Sequence, residues 1–463
     1  MLEKALKFLL AILCLSLTLT GCQKQNEWLE AKNSKALVVP ETIDDYQAIL
    51  DDFLNVSSHF PIVGIVGSDN LFLQGTAFST LDLKTRNLYT WQSDIWADDR
   101  SVDWEYSYTL IEYANIVLDG LQKIDNKSSE KYKSVIGQAY FLRALAYYNL
   151  AQLFCKPYTV EGASSDLGLP LRNTSDVNVL FQRSTIKDTY DFIIKDATSA
   201  LELLPNQTAS IYRSSKIAAN ALLAKTHFVM GNYSQSLVFA SAVLDVKKEL
   251  LDFNTAPVDL SLTYRFPAAG RANPEIIFYG EGTGYSLVLP STASPAMVDS
   301  NLIALYSEND LRLATFYIKD SGTKFYKYRG SYTGTSTSFC GLAVNEILLL
   351  KAECLARSGQ GEAALSDLTY LLKYRYKTGT TPVIGDVDEA LSMVLQQRRM
   401  ELPFTSNIRW EDLRRLNLNA ATSIQLSRDI NGTKYDLPPN DLKYTLPIPD
   451  NEIQLSRILQ NNR

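Results

Sequence analysis

Apolar residues recur at three- and four-residue steps through three segments of the chain. This spacing predicts amphipathic helices over 103–124, 127–154 and 185–204. Pro205 follows the third segment and ends it, because proline lacks the backbone donor that a helix interior needs. The body of the chain is therefore predicted to be mainly α-helical.

Two later segments share a regular spacing of small residues. The first contains Ala224, Gly231 and Ser236, and the second contains Ala352, Gly359 and Ala364. This rhythm, with an apolar segment on either side, is typical of tetratricopeptide-like repeats, in which small residues let two antiparallel helices cross closely. The two segments lie much farther apart than the usual repeat of about 34 residues, so they are not in tandem.

Long irregular regions separate the helical parts. Residues 251–340 are rich in proline, glycine and tyrosine, and residues 55–102 are similar, so both are predicted to be ordered loops with few short strands. The helical-repeat core is expected mainly in 103–250 and 341–420. The proline-containing C-terminal segment, 430–463, is expected to be extended.

The N-terminus has the pattern of a bacterial lipoprotein signal. Charged residues at the start precede an apolar run over 8–19, which is too short for a bilayer span of about 20 residues. Leu-Thr-Gly-Cys over 19–22 ends the run and resembles a lipobox. We expect 1–21 to be removed as a signal peptide and Cys22 to be lipidated.

Composition narrows the possible functions. Lys and Arg number 45 against 51 Asp and Glu, and this acidic balance disfavours nucleic acid as a partner. His59 and His227 are the two histidines, which removes most routes to histidine-based catalysis and zinc binding. The three remaining cysteines of the mature chain, Cys155, Cys340 and Cys354, are widely spaced and are predicted to be buried thiols.

Several segments, in this order, together resemble one known family. They are Trp28–Leu50, Trp104–Asn115 (W-x3-Y-x2-I-x2-AN), Gly137–Tyr158, Asn273–Phe278, Glu346–Glu353, Arg398–Phe404, Arg409–Arg415 and Pro447–Asn461. The family is the SusD/RagB group of outer-membrane lipoproteins from Bacteroidetes. One departure is local: many members have Glu-Gly after the Phe at 404, and this chain has Thr405 and Ser406.

The resemblance implies a single SusD-like domain over 22–463, with a tetratricopeptide-like helical core that carries a loop-built ligand surface. It implies a lipid anchor in the outer membrane, facing the cell exterior, and a SusC-like TonB-dependent transporter as partner. Members capture oligosaccharide, or peptide in the RagB branch. They are not enzymes, and no cofactor is implied.

Candidate ligand-binding residues come from the two loop regions. A sugar site needs flat aromatic faces for the apolar side of the pyranose and polar groups for its hydroxyls. The window 86–104 holds three of the five tryptophans, of which Trp104 begins a predicted helix and is assigned to the core. The candidates are Arg86, Tyr89, Trp91 and Trp96 in the first region and Tyr326, Tyr328 and Arg329 in the second. We expect Trp91 and Trp96 to be exposed, whereas half-burial is the alternative for the tyrosines.

Two further clusters suggest chemistry but are assigned structural roles. The run Asp94, Asp98, Asp99 and Asp103 fails the EF-hand template because it contains no glycine, so no metal is predicted. Arg409, Trp410, Asp412 and Arg415 have helical spacing, which favours ion pairing and packing over catalysis.

Two other functions stay open at the level of sequence. A secreted glycoside hydrolase needs only two carboxylates, which can lie far apart in the chain. A tetratricopeptide scaffold would bind a protein partner and no small ligand. The chain contains none of the common nucleophile, zinc or nucleotide motifs, and no catalytic residue is predicted.

Overall fold

The computed structural model describes residues 39–97, 99–282 and 284–463. Helices dominate this part of the chain. The helices are α1 (Ile43–Leu50), α2 (Phe53–Val56), α3 (Val63–Gly67), α4 (Gly75–Ser79), α5 (Leu83–Tyr89), α6 (Val102–Leu121), α7 (Glu130–Phe154), α8 (Ile186–Leu203), α9 (Lys216–Val229), α10 (Tyr233–Leu244), α11 (Ser300–Ile303), α12 (Leu311–Phe316), α13 (Val344–Arg357), α14 (Gly361–Lys373), α15 (Ala390–Glu401), α16 (Ile408–Leu416) and α17 (Asp450–Ser456). In the described ranges, no helix has the length and apolar character needed to cross a membrane.

The strands are short and pair in twos. They are β1 (Leu71–Phe72), β2 (Leu167–Pro170), β3 (Arg183–Thr185), β4 (Ile276–Phe278), β5 (Glu281–Gly282), β6 (Met297–Val298), β7 (Tyr317–Lys319), β8 (Tyr326–Tyr328), β9 (Ser338–Phe339), β10 (Leu342–Ala343), β11 (Leu426–Ile430) and β12 (Thr433–Leu437). The antiparallel pairs are β1–β6, β2–β3, β4–β10, β5–β9, β7–β8 and β11–β12. The predicted fold class, mainly helical with few short strands, is confirmed.

The three helices predicted from periodicity are α6, α7 and α8, with ends that differ by a few residues from the predicted ones. Each begins where a hydroxyl side chain accepts a hydrogen bond from a free backbone amide of the first turn. The caps are Ser101, Ser129 and Thr185. A buried ion pair joins the three helices, because Arg143 of α7 bonds both carboxylate oxygens of Asp196 on α8 and the amide oxygen of Asn115 on α6.

The two small-residue segments form helix hairpins, α9–α10 and α13–α14. Their turns contain Gly231 and Gly359 at φ of +75° and +77°, a conformation that glycine adopts at little cost. In the first hairpin the Ser236 hydroxyl donates to the carbonyl of Ala224 at 2.9 Å, so the helices approach closely. Helix α10 also packs against α13. The repeats are therefore neighbours in space although they are distant in sequence.

A second buried network joins α13, α15 and α16. Asp412 accepts hydrogen bonds from Arg398 and Arg415, and Arg415 also pairs with Glu353. The ring of Trp410, on the same helix as Asp412, is buried and packs against that of Tyr444, with ring centres 5.0 Å apart. The structure thus confirms the ion-pair and packing roles predicted for the 409–415 cluster.

The three cysteines of the described chain are free and buried. Burial raises the pKa of Cys155 and of Cys354 to about 11, so both thiols stay protonated at neutral pH. The prediction of three buried thiols is confirmed. Cys22 and the signal segment lie outside the described residues, and their processing stays a prediction.

The C-terminal segment is less extended than expected. It contains strand β12, a 3₁₀ turn over Leu442–Tyr444 and helix α17. Pro449 lies at the start of α17 with φ of −56°, and Asp450 and Glu452 occupy its first turn. Proline at a helix start and acidic residues in the first turn both favour the helix, and these signals outweigh the local proline content.

Candidate ligand-binding site

A groove of about 540 Å³ lies among segments from four distant parts of the chain, and we call it the loop groove. Strand β1 and the end of α5 line one part, β11 lines another, and α11 and α15 contribute single side chains. Its size is in the range of small-ligand sites. The lining residues are Asp69, Leu71, Phe72, Leu73, Tyr89, Trp91, Asp299, Asn301, Arg399, Ile424, Gln425, Leu426, Ser427, Arg428 and Asp429.

One wall is a buried arginine held between two rings. The guanidinium carbon of Arg428 lies 3.6 Å from the ring centre of Tyr89 and 4.4 Å from that of Trp91. The same guanidinium donates to the carbonyls of Val66 and Ser68, at 3.1 and 2.6 Å. Burial lowers the pKa of Arg428 to about 10, and the side chain is still charged at neutral pH. These contacts make this wall a rigid, positively charged element.

A second wall is an ion-pair cluster around Asp69. Both carboxylate oxygens of Asp69 accept hydrogen bonds from Arg409, each at 2.7 Å, and Arg399 approaches to 3.3 Å. Arg399 also donates to the Asn70 amide oxygen and lies 3.7 Å from Asp299. Burial by itself raises the pKa of Asp69, but the two arginines outweigh it and hold that pKa well below its ordinary value. Asp69 is therefore ionised at neutral pH.

Further polar groups lie on β11, where buried and exposed side chains alternate strictly. Leu426, Arg428 and Ile430 face inward, while Ser427 and Asp429 are exposed. Residues of both faces of the strand border the groove, so its lining includes the exposed Ser427 and Asp429 as well as the inward-facing Leu426 and Arg428.

A pair of aromatic rings adds an apolar surface. Phe72 lines the groove and is half-buried. Phe325, also half-buried, lies beside it with ring centres 4.9 Å apart in an edge-to-face arrangement. Ring faces together with hydroxyl, amide and carboxylate groups suit a polyhydroxylated ligand, because the rings cover its CH groups and the polar groups bond its hydroxyls.

The structure contradicts the expected exposure of Trp91 and Trp96. Their side chains are 2% and 1% exposed. The indole N–H of Trp91 donates to the carbonyl of Gly67 at 3.0 Å, and that of Trp96 donates to the carbonyl of Pro447 at 2.8 Å. An indole in a loop can fill the space under that loop, because its large apolar area favours burial once its single donor is satisfied. Trp91 still lines the loop groove, and Trp96 does not.

The other two candidates of the first region, Tyr89 and Arg86, also differ in whether they line the loop groove. Tyr89 is buried in the groove wall, where its hydroxyl accepts a hydrogen bond from the backbone N–H of Leu73 at 2.9 Å. Arg86 is half-buried, does not line the groove, and has a buried Nε without a partner.

The candidates of the second region lie on or just after β8. Tyr326 is half-buried beside Phe325, and Tyr328 is buried with its ring 4.8 Å from that of Phe404. Arg329 is half-buried. None of the three lines the loop groove. Whether any of the proposed residues contacts a ligand stays a prediction.

Several groove residues were missed by the sequence reasoning. Asp299, Asn301 and Arg399 come from segments that carry no sugar-site signal and approach β1 only through tertiary packing. The alternation on β11 was readable as a strand with one exposed face. The position of that face next to β1 was not, because more than 300 residues separate the two strands.

The run of aspartates at 94–103 is dispersed. Asp94 caps a local turn, Asp99 pairs with Lys84, and the buried Asp103 accepts hydrogen bonds from backbone N–H groups at the start of α3. Asp98 lies outside the described residues. Within the described ranges, no group of three or more His, Cys, Asp and Glu side chains is placed to hold a metal ion.

Two family models match the chain. Residues 27–228 match a SusD-like model described as "Starch-binding associating with outer membrane", and residues 322–463 match the SusD family model. Together the two matches cover well over half of the chain.

Relatives and solved structures agree with these matches. SusD-like protein P2 of Formosa agariphila is 24% identical, over 98% of this chain and 99% of its own length. A SusD superfamily protein of Bacteroides thetaiotaomicron has the same fold, with a TM-score of 0.73 at 20% identity, over 91% of this chain and 100% of its own. A SusD-like carbohydrate binding protein of Bacteroides vulgatus gives 0.67 at 17% identity, over 90% and 97%. The chain belongs to the SusD/RagB family.

Proposed function

We propose that this protein is a cell-surface lipoprotein that captures oligosaccharide and passes it to a TonB-dependent transporter in the outer membrane. The observation that carries the proposal is the loop groove, which combines the Phe72 ring with exposed polar groups on β11 and α11. The family description as starch-binding and outer-membrane-associated supports the same conclusion.

The groove is better suited to binding than to hydrolysis. Glycoside hydrolysis needs a pair of carboxyl groups, one of which has a raised pKa and donates a proton. The pKa of Asp69 is instead lowered by Arg409 and Arg399. Asp299 is occupied as the helix cap of α11, and Asp429 accepts a hydrogen bond from the Gly432 amide. We therefore propose a protein that binds its ligand without turnover.

A binding panel tests the proposal. The purified mature protein is titrated calorimetrically with neutral and acidic oligosaccharides and with mixed peptides of similar length. We expect at least one saccharide class to bind with no product formed on long incubation. Binding of peptides alone would instead favour the RagB-like alternative, and steady product release in proportion to protein would favour a hydrolase.

The partner is tested separately. Affinity purification from native outer membranes in mild detergent should recover a large plugged-barrel transporter together with this protein. If the protein were a tetratricopeptide scaffold, a partner protein would be recovered with it, but no saccharide would bind. Recovery of the lipoprotein alone would contradict the delivery step.

A further inference from the structure

Arg265 is a buried arginine whose hydrogen-bonding capacity is only partly used. Its side chain is about nine-tenths buried, and its Nη1 donates to the carbonyls of Ala314 and Tyr317. Its Nε is buried and has no partner. No carboxylate lies within ion-pair distance in the described part of the chain. Arg143, by contrast, meets a carboxylate on the neighbouring helix.

Arg329 and Arg265 are held to the same segment, where α12 ends and β7 begins. The backbone N–H of Arg329 donates to the carbonyl of Phe316 at 2.7 Å, and Arg265 bonds the carbonyls on either side of it. The guanidinium of Arg329 makes no hydrogen bond or ion pair to the described chain, and its Nε is buried without a partner. The chain next to each arginine is also close to the other, since a Cβ built on Gly330 would lie 3.6 Å from Cδ1 of Tyr264.

Arg265 and Arg329 lie on adjoining segments, and neither pairs with a carboxylate of the described residues, so their charges repel each other. Burial and the charge of Arg329 together lower the pKa of Arg265. The nearest acidic residue in sequence, Asp259, has its carboxylate engaged by the amide and hydroxyl of Ser261. An anion bound by the two guanidinium groups would relieve this repulsion and accept hydrogen bonds from donors that lack a partner in the described chain.

We propose that Arg265 and Arg329 form a binding site for an oxyanion on the ligand, either a carboxylate or a sulfate on a sugar ring. This inference rests on the proposed saccharide function and names a substrate class for it: acidic oligosaccharides. Tyr264, 37% exposed, offers a ring next to the anion. Arg329 follows the three-residue strand β8, whose other end carries Tyr326 beside the Phe325–Phe72 ring pair. Such a strand spans about 10 Å, which is comparable with the length of a few sugar units.

The test compares matched ligands on the full mature chain. The ligands are oligogalacturonate against its methyl ester, and a sulfated galactan oligosaccharide against its desulfated form. We expect the wild type to bind at least one acidic form about tenfold or more tighter than its neutral partner. Arg329→Gln should remove that preference and leave the neutral affinity unchanged, whereas Arg329→Lys should keep part of it. Arg271→Gln, which removes an exposed arginine elsewhere, should keep all of it.

Other outcomes overturn the inference. Equal affinity of the wild type for acidic and neutral forms, or a preference that survives Arg329→Gln, would remove the site while the proposed saccharide function stands. A wild type that binds no saccharide contradicts the proposed function itself. The arginine pair is then judged by inorganic sulfate. Sulfate stabilises folded proteins in general, so the rise in melting temperature in sulfate over chloride, at matched ionic strength, should be larger in the wild type than in Arg329→Gln, and equal rises would reject the site.

Discussion

At the scale of single residues, Trp96 and Trp91 show how burial and proximity to a ligand site are separate properties. Both indoles are buried, and the N–H of each donates a hydrogen bond to a backbone carbonyl. Trp91 nevertheless supports Arg428 in the groove wall, while Trp96 fastens its loop to the C-terminal segment at Pro447. The more accessible side chains that line the groove are smaller or more polar, such as Ser427 and Phe72.

Trp96→Ala should therefore lower the free energy of unfolding strongly and leave ligand affinity nearly unchanged. Loss of a fully buried ring costs about 3–5 kcal/mol, because a cavity is left behind. Trp96→Phe keeps a ring and loses the bond to Pro447, so it should cost less. Urea denaturation of both variants measures this. A loss below about 1 kcal/mol for the alanine variant would show that the ring is not core.

At the scale of elements, the loop before β1 is held to α15 and α16 by charge. Asp69 accepts two hydrogen bonds from Arg409 of α16, and Arg399 of α15 lies nearby. These contacts fix one wall of the groove relative to the helical core. Preformed contacts of this kind reduce the entropy that is lost when a ligand binds.

Asp69→Asn should destabilise the protein by about 3 kcal/mol at neutral pH, the typical cost of breaking a buried ion pair. The folded-state pKa of Asp69 lies below the ordinary value of 3.8, so its stabilisation is present above that value and is lost as the pH falls through the range below it. The difference between wild type and variant should therefore shrink on acidification. Urea titrations at pH 7 and at pH 2–3 measure both values, and a constant difference would contradict the ion-pair account.

Elements also differ in how far sequence alone can specify them. Helices α6–α8 were predictable because their apolar spacing, capping residues and terminal proline are all local. The hairpin turns at Gly231 and Gly359 were predictable for the same reason. The groove was not, since Arg399 and Asp299 meet β1 only when the long irregular region folds back on the helical core. A charged residue in a loop carries no local sign of its partner.

At the scale of the whole molecule, a helical core presents loops from both irregular regions. The hairpins α9–α10 and α13–α14 pack together, and the segments 55–102 and 251–340 meet through pairs such as β1–β6. Family members share this arrangement, as the similarity over about nine-tenths of the chain to solved structures shows. Under the proposed function, the loops bind the ligand and the predicted anchor holds them at the membrane.

The anchor is a prediction about the whole chain in the cell. Mass spectrometry of the mature protein should find an N-terminal peptide that begins at a lipidated Cys22, because 19–22 resembles a lipobox. Two or more acyl chains give stable membrane attachment. Cys22→Ala should release the protein from the membrane fraction. An unmodified peptide containing residues before Cys22 would contradict the anchor.

The central claim is that the loop groove binds saccharide, and Phe72→Ala tests it most directly. Calorimetry with the saccharide selected from the panel compares this variant with Phe239→Ala, a matched loss of a half-buried ring on the hairpin α9–α10, which contributes no side chain to the groove. Losing a ring face that covers sugar CH groups should weaken binding by about 1–2 kcal/mol, roughly tenfold. We expect that loss for Phe72→Ala and unchanged affinity for Phe239→Ala; equal affinities in the two variants and the wild type, or no saccharide binding at all, would contradict the account.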